Sequence, residues 1–139
     1  MSILNDINGY IANYHQKIED QRARNAVLQE KIDRLEAAKR QVNDAYHDAQ
    51  NLTGMMMDYD PSALWAGDKY DLFVNEKTST LNRSKNFERQ IDTNYDAICD
   101  KITQLRNEMS EGWGLVSFYS STINNLQNEW QKAWHDLFG

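Results

Sequence analysis

Apolar side chains recur at alternating steps of three and four residues through the first third of the chain. This spacing places them on one side of an α-helix, as at the a and d positions of a coiled coil. The stripe consists of Leu4, Ile7, Ile11, Tyr14, Ile18, Leu28, Ile32, Leu35, Val42, Tyr46 and Ala49. Gln21, Asn25 and Lys39 fall on the same stripe, where polar groups lower stability and can fix the register between helices. Gly54, directly after Thr53, predicts the end of this first helix.

A second stripe with the same spacing follows the only proline, Pro61, and is strongest between Ile91 and Leu137. The chain is predicted to reverse at about residues 54–62, because Asp60 or Ser62 can cap a new helix whose first turn accepts Pro61. The pattern therefore predicts an all-α fold, a long antiparallel two-helix hairpin with a C-terminal helical extension. Such hairpins commonly assemble into larger helical bundles.

The last segment of the chain is expected to lack an opposite helix. The sequence "SEGWG" at residues 110–114 predicts a bend or break, since each glycine costs about 1 kcal/mol inside a helix. Reversal near residue 59 would place residue n opposite about residue 118 − n, and hence Leu4 opposite Gly114. The hairpin would then comprise residues 1–110, and residues 111–139 would form an amphipathic, aromatic extension.

The apolar stripe of this extension is a candidate partner-binding surface. Its members are Val116, Tyr119, Ile123, Leu126, Trp130 and Leu137. Two alternatives would bury them. Either the extension folds back at Gly112 and Gly114 as a third helix of a bundle, or it packs against another chain, which includes a possible homodimer.

Composition and charge narrow the function. The formal net charge of −6 argues against a nucleic-acid partner, because phosphate binding needs a basic face. A single cysteine excludes an internal disulfide framework. No apolar run approaches the roughly 20 residues that span a bilayer, and the N-terminus lacks the pattern of a cleaved signal peptide. We therefore expect no membrane insertion and a cytoplasmic origin, with any export by a route that does not use a Sec signal.

Among the titratable residues, one spacing suits a metal site. His15 and Glu19 are spaced four apart, which can place two ligands on one metal, but the predicted pairing supplies no further histidine or cysteine. No nucleophile elbow, glycine-rich phosphate loop or calcium-binding loop is found. The sequence predicts a protein that is not an enzyme, with no catalytic residue, cofactor or metal.

The turn region carries the triplet Trp65-Ala66-Gly67. A Trp-x-Gly at the turn between two long helices, with acidic charge and this length, resembles the WXG superfamily of type VII secretion proteins in Gram-positive bacteria. The closest resemblance is to its YwqH-like branch, which is associated with LXG-type toxins. This resemblance implies that Trp65 and Gly67 form the turn motif. It also implies an adaptor or chaperone that binds the helical targeting domain of such a toxin, or a sister small helical protein.

One feature of many exported members of that superfamily is absent. None of the aromatic residues is followed four positions later by Asp or Glu, so the composite export signal would have to lie on a partner that leaves with this chain. Otherwise the protein would stay in the cytoplasm. A self-assembling coiled-coil or four-helix-bundle scaffold explains the heptads equally well, although it leaves the Trp-x-Gly triplet as a coincidence. A gene for a toxin with a long helical N-terminus next door would favour the adaptor.

Overall fold

The protein folds into two long α-helices, as a computed structural model that describes residues 2–62, 64 and 67–139 shows. Helix α1 comprises Ser2–Asp58 and helix α2 comprises Asp68–Phe138. The described residues contain no strand. The predicted all-α class and the helix–turn–helix order are therefore confirmed.

Helix α1 continues past the residue at which it was expected to end. Gly54 lies inside the helix, and the last backbone bond of the regular helical pattern runs from the amide of Tyr59 to the carbonyl of Met55 at 3.2 Å. The expected reversal at residues 54–62 is therefore wrong at its start, because a glycine in a helix is tolerated where the following residues still gain packing.

The connection occupies residues 59–67 and does not begin α2 at Asp60 or Ser62. The Asp60 carboxylate accepts a bond from the Ser62 amide at 3.0 Å, which is the local turn that aspartate favours. The Leu64 amide bonds the Pro61 carbonyl at 2.8 Å. These bonds hold a turn at the positions where the sequence predicted a helix cap.

Both helices present one continuous row of buried and half-buried side chains. In α1 the row keeps the predicted three-four spacing and includes the polar Gln21 and Asn25, which are 8% and 1% exposed. In α2 the row passes through Ser84 and Glu88 and then through Gly112. We call these two rows the seam. Gln21, Asn25 and Lys39, predicted as polar members of the first stripe, occupy seam positions.

Helix α2 is uninterrupted at "SEGWG", so the predicted break there is wrong. Gly112 is buried at a seam position, where the side chains of Gln21 and Asn25 fill the space that its own side chain would occupy. The amide group of Gln21 donates to Asn25 Oδ1 at 3.1 Å. Packing of this polar layer against a residue without a Cβ offsets the low helix propensity of glycine.

The chain divides into two compact units. The terminal unit comprises Met1–Asp33 and Thr103–Gly139, and the turn unit comprises Arg34–Ile102. Within each unit the segment of α1 runs antiparallel to the segment of α2. This division cuts both helices and differs from the expected boundary between residues 110 and 111, which falls inside α2.

In the terminal unit, the core is formed by the very residues that were expected to lack an opposite helix. Ile18 packs with Val116 and Ile123, and the Tyr14 and Tyr119 rings lie 5.7 Å apart between centroids. The rule based on reversal at residue 59 would place Tyr14 opposite residue 104. That rule is wrong because the chain reverses later than residue 59. Each residue by which the reversal is displaced shifts the opposite position by two residues.

In the turn unit, the seam is partly polar. The Thr53 hydroxyl is within hydrogen-bonding distance of the Ser84 hydroxyl and lies 2.9 Å from a Glu88 carboxylate oxygen. The ammonium of Lys39 lies 5.8 Å from the centroid of the Tyr95 ring, within the range of a cation–π contact. A seam with these groups leaves less apolar area buried between the two helices than an all-aliphatic seam would.

Candidate functional site

The turn motif is partly outside the described residues. Trp65 and Ala66 lie outside the described residues, so the part of the predicted motif that Trp65 forms is not tested. Gly67 is described and has a φ angle of +63°, the left-handed conformation that glycine adopts without strain. Its carbonyl accepts the first helical bond of α2, from the Asp71 amide at 3.1 Å. Gly67 is thus the residue at which the chain enters α2.

An apolar groove lies beside the turn, within the turn unit. It encloses about 500 Å³ and is lined by Leu52, Met55, Met56, Tyr59, Phe73, Glu76, Lys77 and Thr80. We call it the tip groove. Leu52 and Met55 are 62% and 70% exposed, and Tyr59 contacts Phe73 edge to face at 5.7 Å. Of the three consecutive methionines at 55–57, Met55 and Met57 are exposed.

Lys77 closes the carbonyl end of α1 from the opposite helix. Its ammonium donates to the carbonyl of Tyr59 at 2.6 Å and to the carbonyl of Met57 at 3.0 Å. A positive charge here also interacts favourably with the negative end of the α1 dipole, whose own last turn holds no basic residue. Sequence reasoning missed Lys77, because its role depends on where the chain reverses.

The predicted partner-binding stripe is largely occupied by α1. Val116 and Ile123 are buried, the Tyr119 ring contacts the Tyr14 ring at a tilt of 43°, and Leu126 is half-buried. Leu137, by contrast, is 53% exposed. The reason for nominating the stripe, the lack of an opposite helix, is therefore wrong, and the expected fold-back at Gly112 and Gly114 is wrong because α2 is continuous there. Its binding of a partner stays a prediction.

Trp130, the remaining member of that stripe, begins an aromatic ladder at the end of α2. Its ring stacks on Trp134 at 5.5 Å, and Trp134 contacts Phe138 at 4.4 Å. The Nε1 of Trp130 is buried and has no acceptor among the described residues. Trp130 also lines a shallow groove with Asn8, Ile11, Gln127 and Gln131. The ladder leaves Trp134 and Phe138 about half exposed.

The titratable residues form few close groups. His15, His47 and His135 are all exposed, and the described residues hold no group of three or more side chains placed to bind a metal ion. The carboxylate of Asp60 raises the pKa of the Tyr70 phenol, whose hydroxyl lies 3.4 Å from it. None of the described helices is apolar enough over a sufficient length to cross a membrane.

Two antiparallel helices joined by a glycine turn and held by one heptad seam define a helical hairpin. The model of the YwqH-like family matches residues 9–130, which is most of both helices. The chain therefore belongs to the YwqH-like family. No curated protein and no solved structure matches the chain.

Proposed function

We propose that this protein is a non-enzymatic adaptor or chaperone of a type VII secretion system. Its partner would be the helical targeting domain of an LXG-type toxin or a sister small helical protein. It would act in the cytoplasm and bind the cargo before export. Membership of the YwqH-like family and the helical hairpin support this proposal.

The observation that carries the proposal is the balance between buried and exposed apolar side chains. Among the described residues, ten hydrophobic side chains are buried, while seventeen large ones are exposed. They occur in both units, at Leu52 and Met55 beside the turn and at Phe118 and Trp134 in the terminal unit. Exposed apolar side chains that lie next to one another, as Leu52 and Met55 do in the tip groove and Trp134 and Phe138 do at the end of α2, mark candidate sites of protein association. A hairpin with one internal seam is the half of a bundle that a helical partner completes.

The test is size-exclusion chromatography with light scattering on the purified chain, alone and after co-expression with the product of each adjacent gene. We expect a defined complex with one neighbour that has a long helical N-terminus. A stable homo-oligomer that ignores every neighbour would contradict the adaptor function and favour a self-assembling scaffold.

A deletion in the cargo makes the experiment specific. Removal of the neighbour's helical N-terminal region should abolish the complex, whereas removal of its C-terminal region should leave it intact. Loss of the complex only upon the C-terminal deletion would show that the chain binds the effector part of that protein and would contradict the proposed role.

A further inference from the structure

A second groove lies in the terminal unit, along the middle of α1. It encloses about 530 Å³. Val27, which is 51% exposed, and the half-buried Leu28 give it apolar surface. Its charged lining residues are Arg24 and Lys31 of α1 and Glu108 of α2, and all three are exposed. We call it the α1 groove.

The charge that lines the α1 groove is opposite in sign to that of the chain. Acidic residues outnumber basic ones by 21 to 15 in the whole sequence, whereas two of the three charged lining residues are basic. Neither Arg24 nor Lys31 forms an ion pair within the part of the chain that the structure describes. Two bases against one acid leave the lining with a formal excess of one positive charge.

The two basic residues occupy equivalent positions on α1. They are seven residues apart, about 10 Å along the helix, and each directly precedes a seam residue. Lys17, seven residues before Arg24, lies over the Tyr14 and Tyr119 rings at 5.0 and 5.7 Å from their centroids. Cations therefore recur at heptad spacing beside the seam. In coiled coils, charges at such flanking positions determine which helix packs alongside.

We propose that the α1 groove binds one helix of a partner protein, whose apolar face is flanked by Asp or Glu at heptad spacing. This inference rests on the adaptor function proposed above and assigns to it a surface and a partner chemistry. The apolar face of the partner helix would cover Val27 and Leu28. Its carboxylates would pair with Arg24 and Lys31, whose spacing they match.

Charge argues against a second copy of this chain and against nucleic acid as the occupant. Two copies that met groove to groove would bring two basic residues and only one acidic residue from each side, and like charges across an interface oppose association. A nucleic acid needs several phosphate contacts, which two cations beside apolar surface on a chain of net charge −6 do not provide. An acidic amphipathic helix matches both the charge and the apolar part of the lining.

The first experiment measures the binding of two designed helical peptides to the full chain by fluorescence anisotropy. Both peptides carry the same leucine face, and one has glutamates and the other lysines at the flanking heptad positions. The net charge of −6 by itself favours the lysine peptide, so a preference for glutamate requires a local basic site. We expect the glutamate peptide to bind at least about fivefold more tightly at about 0.05 M salt, and the preference to narrow at about 0.5 M. Equal affinities at low salt, or tighter binding of the lysine peptide, would overturn the proposal.

The second experiment locates the binding surface by reversal of charge. The groove variant is Arg24→Glu/Lys31→Glu. The control variant, Arg22→Glu/Lys132→Glu, makes the same two changes at exposed positions of the terminal unit that do not line the groove. Circular dichroism checks that both variants keep their helicity. We expect the groove variant to prefer the lysine peptide and the control variant to keep its preference for the glutamate peptide. Equal behaviour of the two variants would overturn the assignment.

Glu108→Gln supplies a third variant with an effect of opposite sign. It removes the acidic residue of the lining, so the glutamate peptide should bind about twofold more tightly than it binds the native chain. Weaker binding of the glutamate peptide to this variant would contradict the proposed position of the partner's carboxylates.

The same variants separate this inference from the adaptor function. A complex with a neighbouring gene product that the groove variant loses and the control variant keeps would support both. A neighbour complex that is insensitive to the groove variant would overturn the groove assignment and leave the adaptor function standing. A homodimer that the groove variant dissociates, in a chain that ignores the glutamate peptide, would make a second copy the occupant and overturn the proposal.

Discussion

Substitution of Gly112 by alanine tests how the two helices meet in the terminal unit. An added Cβ would collide with Asn25 Oδ1 and Gln21 Nε2, and would lie 3.1 Å from Asn25 Cγ. Asn25 is 1% exposed, so its short side chain has no path toward solvent. Gly114, two residues further, has nothing within 4 Å of an added Cβ and is exposed. It is the matched control, because both substitutions make the same chemical change in the same helix.

The two substitutions are expected to change the free energy of unfolding in opposite directions. Alanine is favoured over glycine by about 1 kcal/mol in a helix, so Gly114→Ala should raise the free energy of unfolding by about that amount. Gly112→Ala gains the same propensity. It also crowds a filled site, at a cost of about 1–3 kcal/mol, and displaces the hydrogen bond between Gln21 and Asn25, worth about 1 kcal/mol. We therefore expect Gly112→Ala to be less stable than Gly114→Ala by about 2–4 kcal/mol.

Urea denaturation followed by circular dichroism measures this difference. The variants should differ in the urea concentration at the midpoint of unfolding and share the same dependence of the free energy on urea. The double variant Asn25→Ala/Gly112→Ala should recover at least about 1 kcal/mol relative to the sum of the single effects, because the new methyl group fills space that Asn25 vacates. If Gly112→Ala stabilised the protein as much as Gly114→Ala does, Asn25 could not be packed against Gly112, and the assigned pairing of α1 with α2 would be wrong.

Three further predictions concern the turn unit. Lys77→Met should lower the free energy of unfolding by about 1 kcal/mol in urea denaturation, since it removes the charge that closes α1, and Lys77→Arg should retain most of it. Thr53→Val should cost about 1–2 kcal/mol more than Thr78→Val, because Thr53 also bonds across the seam, whereas the exposed Thr78 bonds only its own helix; equal losses would contradict the cross-seam bond. In alkaline ultraviolet titrations, the difference between the native chain and Tyr70→Phe should show one phenol with a raised pKa. Asp60→Asn should lower the pKa of that phenol. Because the folded state holds this proton longer than the unfolded state, its effect on stability should be a loss as the pH rises above 10.0, the ordinary pKa of tyrosine.

The spacing of apolar residues sufficed to predict the seam. A three-four repeat over long segments has one helical solution, so positions such as Ile18 and Ile123 were identified on the correct faces. Gln21 and Asn25 were recognised as polar members of the same row. These features depend only on the period of the sequence, which is a local property.

The ends and the pairing of the helices could not be predicted because they depend on contacts between distant segments. Gly54 and the "SEGWG" glycines resemble helix breakers when local propensity alone is considered. Lys77 of α2 donates hydrogen bonds to carbonyls at the end of α1, and the side chain of Asn25 in α1 packs against Gly112 of α2. Because the predicted reversal lay several residues too early, each predicted opposite position was wrong by twice that number of residues. The last segment of the chain was therefore predicted to lack an opposite helix.

The tip groove was missed for the same reason. The sequence showed Met55, Met56 and Met57 as a group, but their association with Phe73 and Thr80 requires the correct start of α2. Sequence reasoning placed the partner surface on the extension instead, where the structure shows α1. The exposed apolar side chains that remain could be identified only after the seam was known.

The unbroken heptad repeat has a consequence for the length of this protein. Seven residues make two turns of a coiled-coil helix, so a heptad can be removed from α1 without rotating the residues that flank it. If the opposite heptad of α2 is removed within the same unit, the remaining seam positions stay matched and each helix shortens by about 10 Å. Removal from one helix alone would leave an unpaired overhang on the other. Paired removal or insertion of seven residues on the two sides of the turn therefore changes the length of the hairpin without changing which residues face the seam.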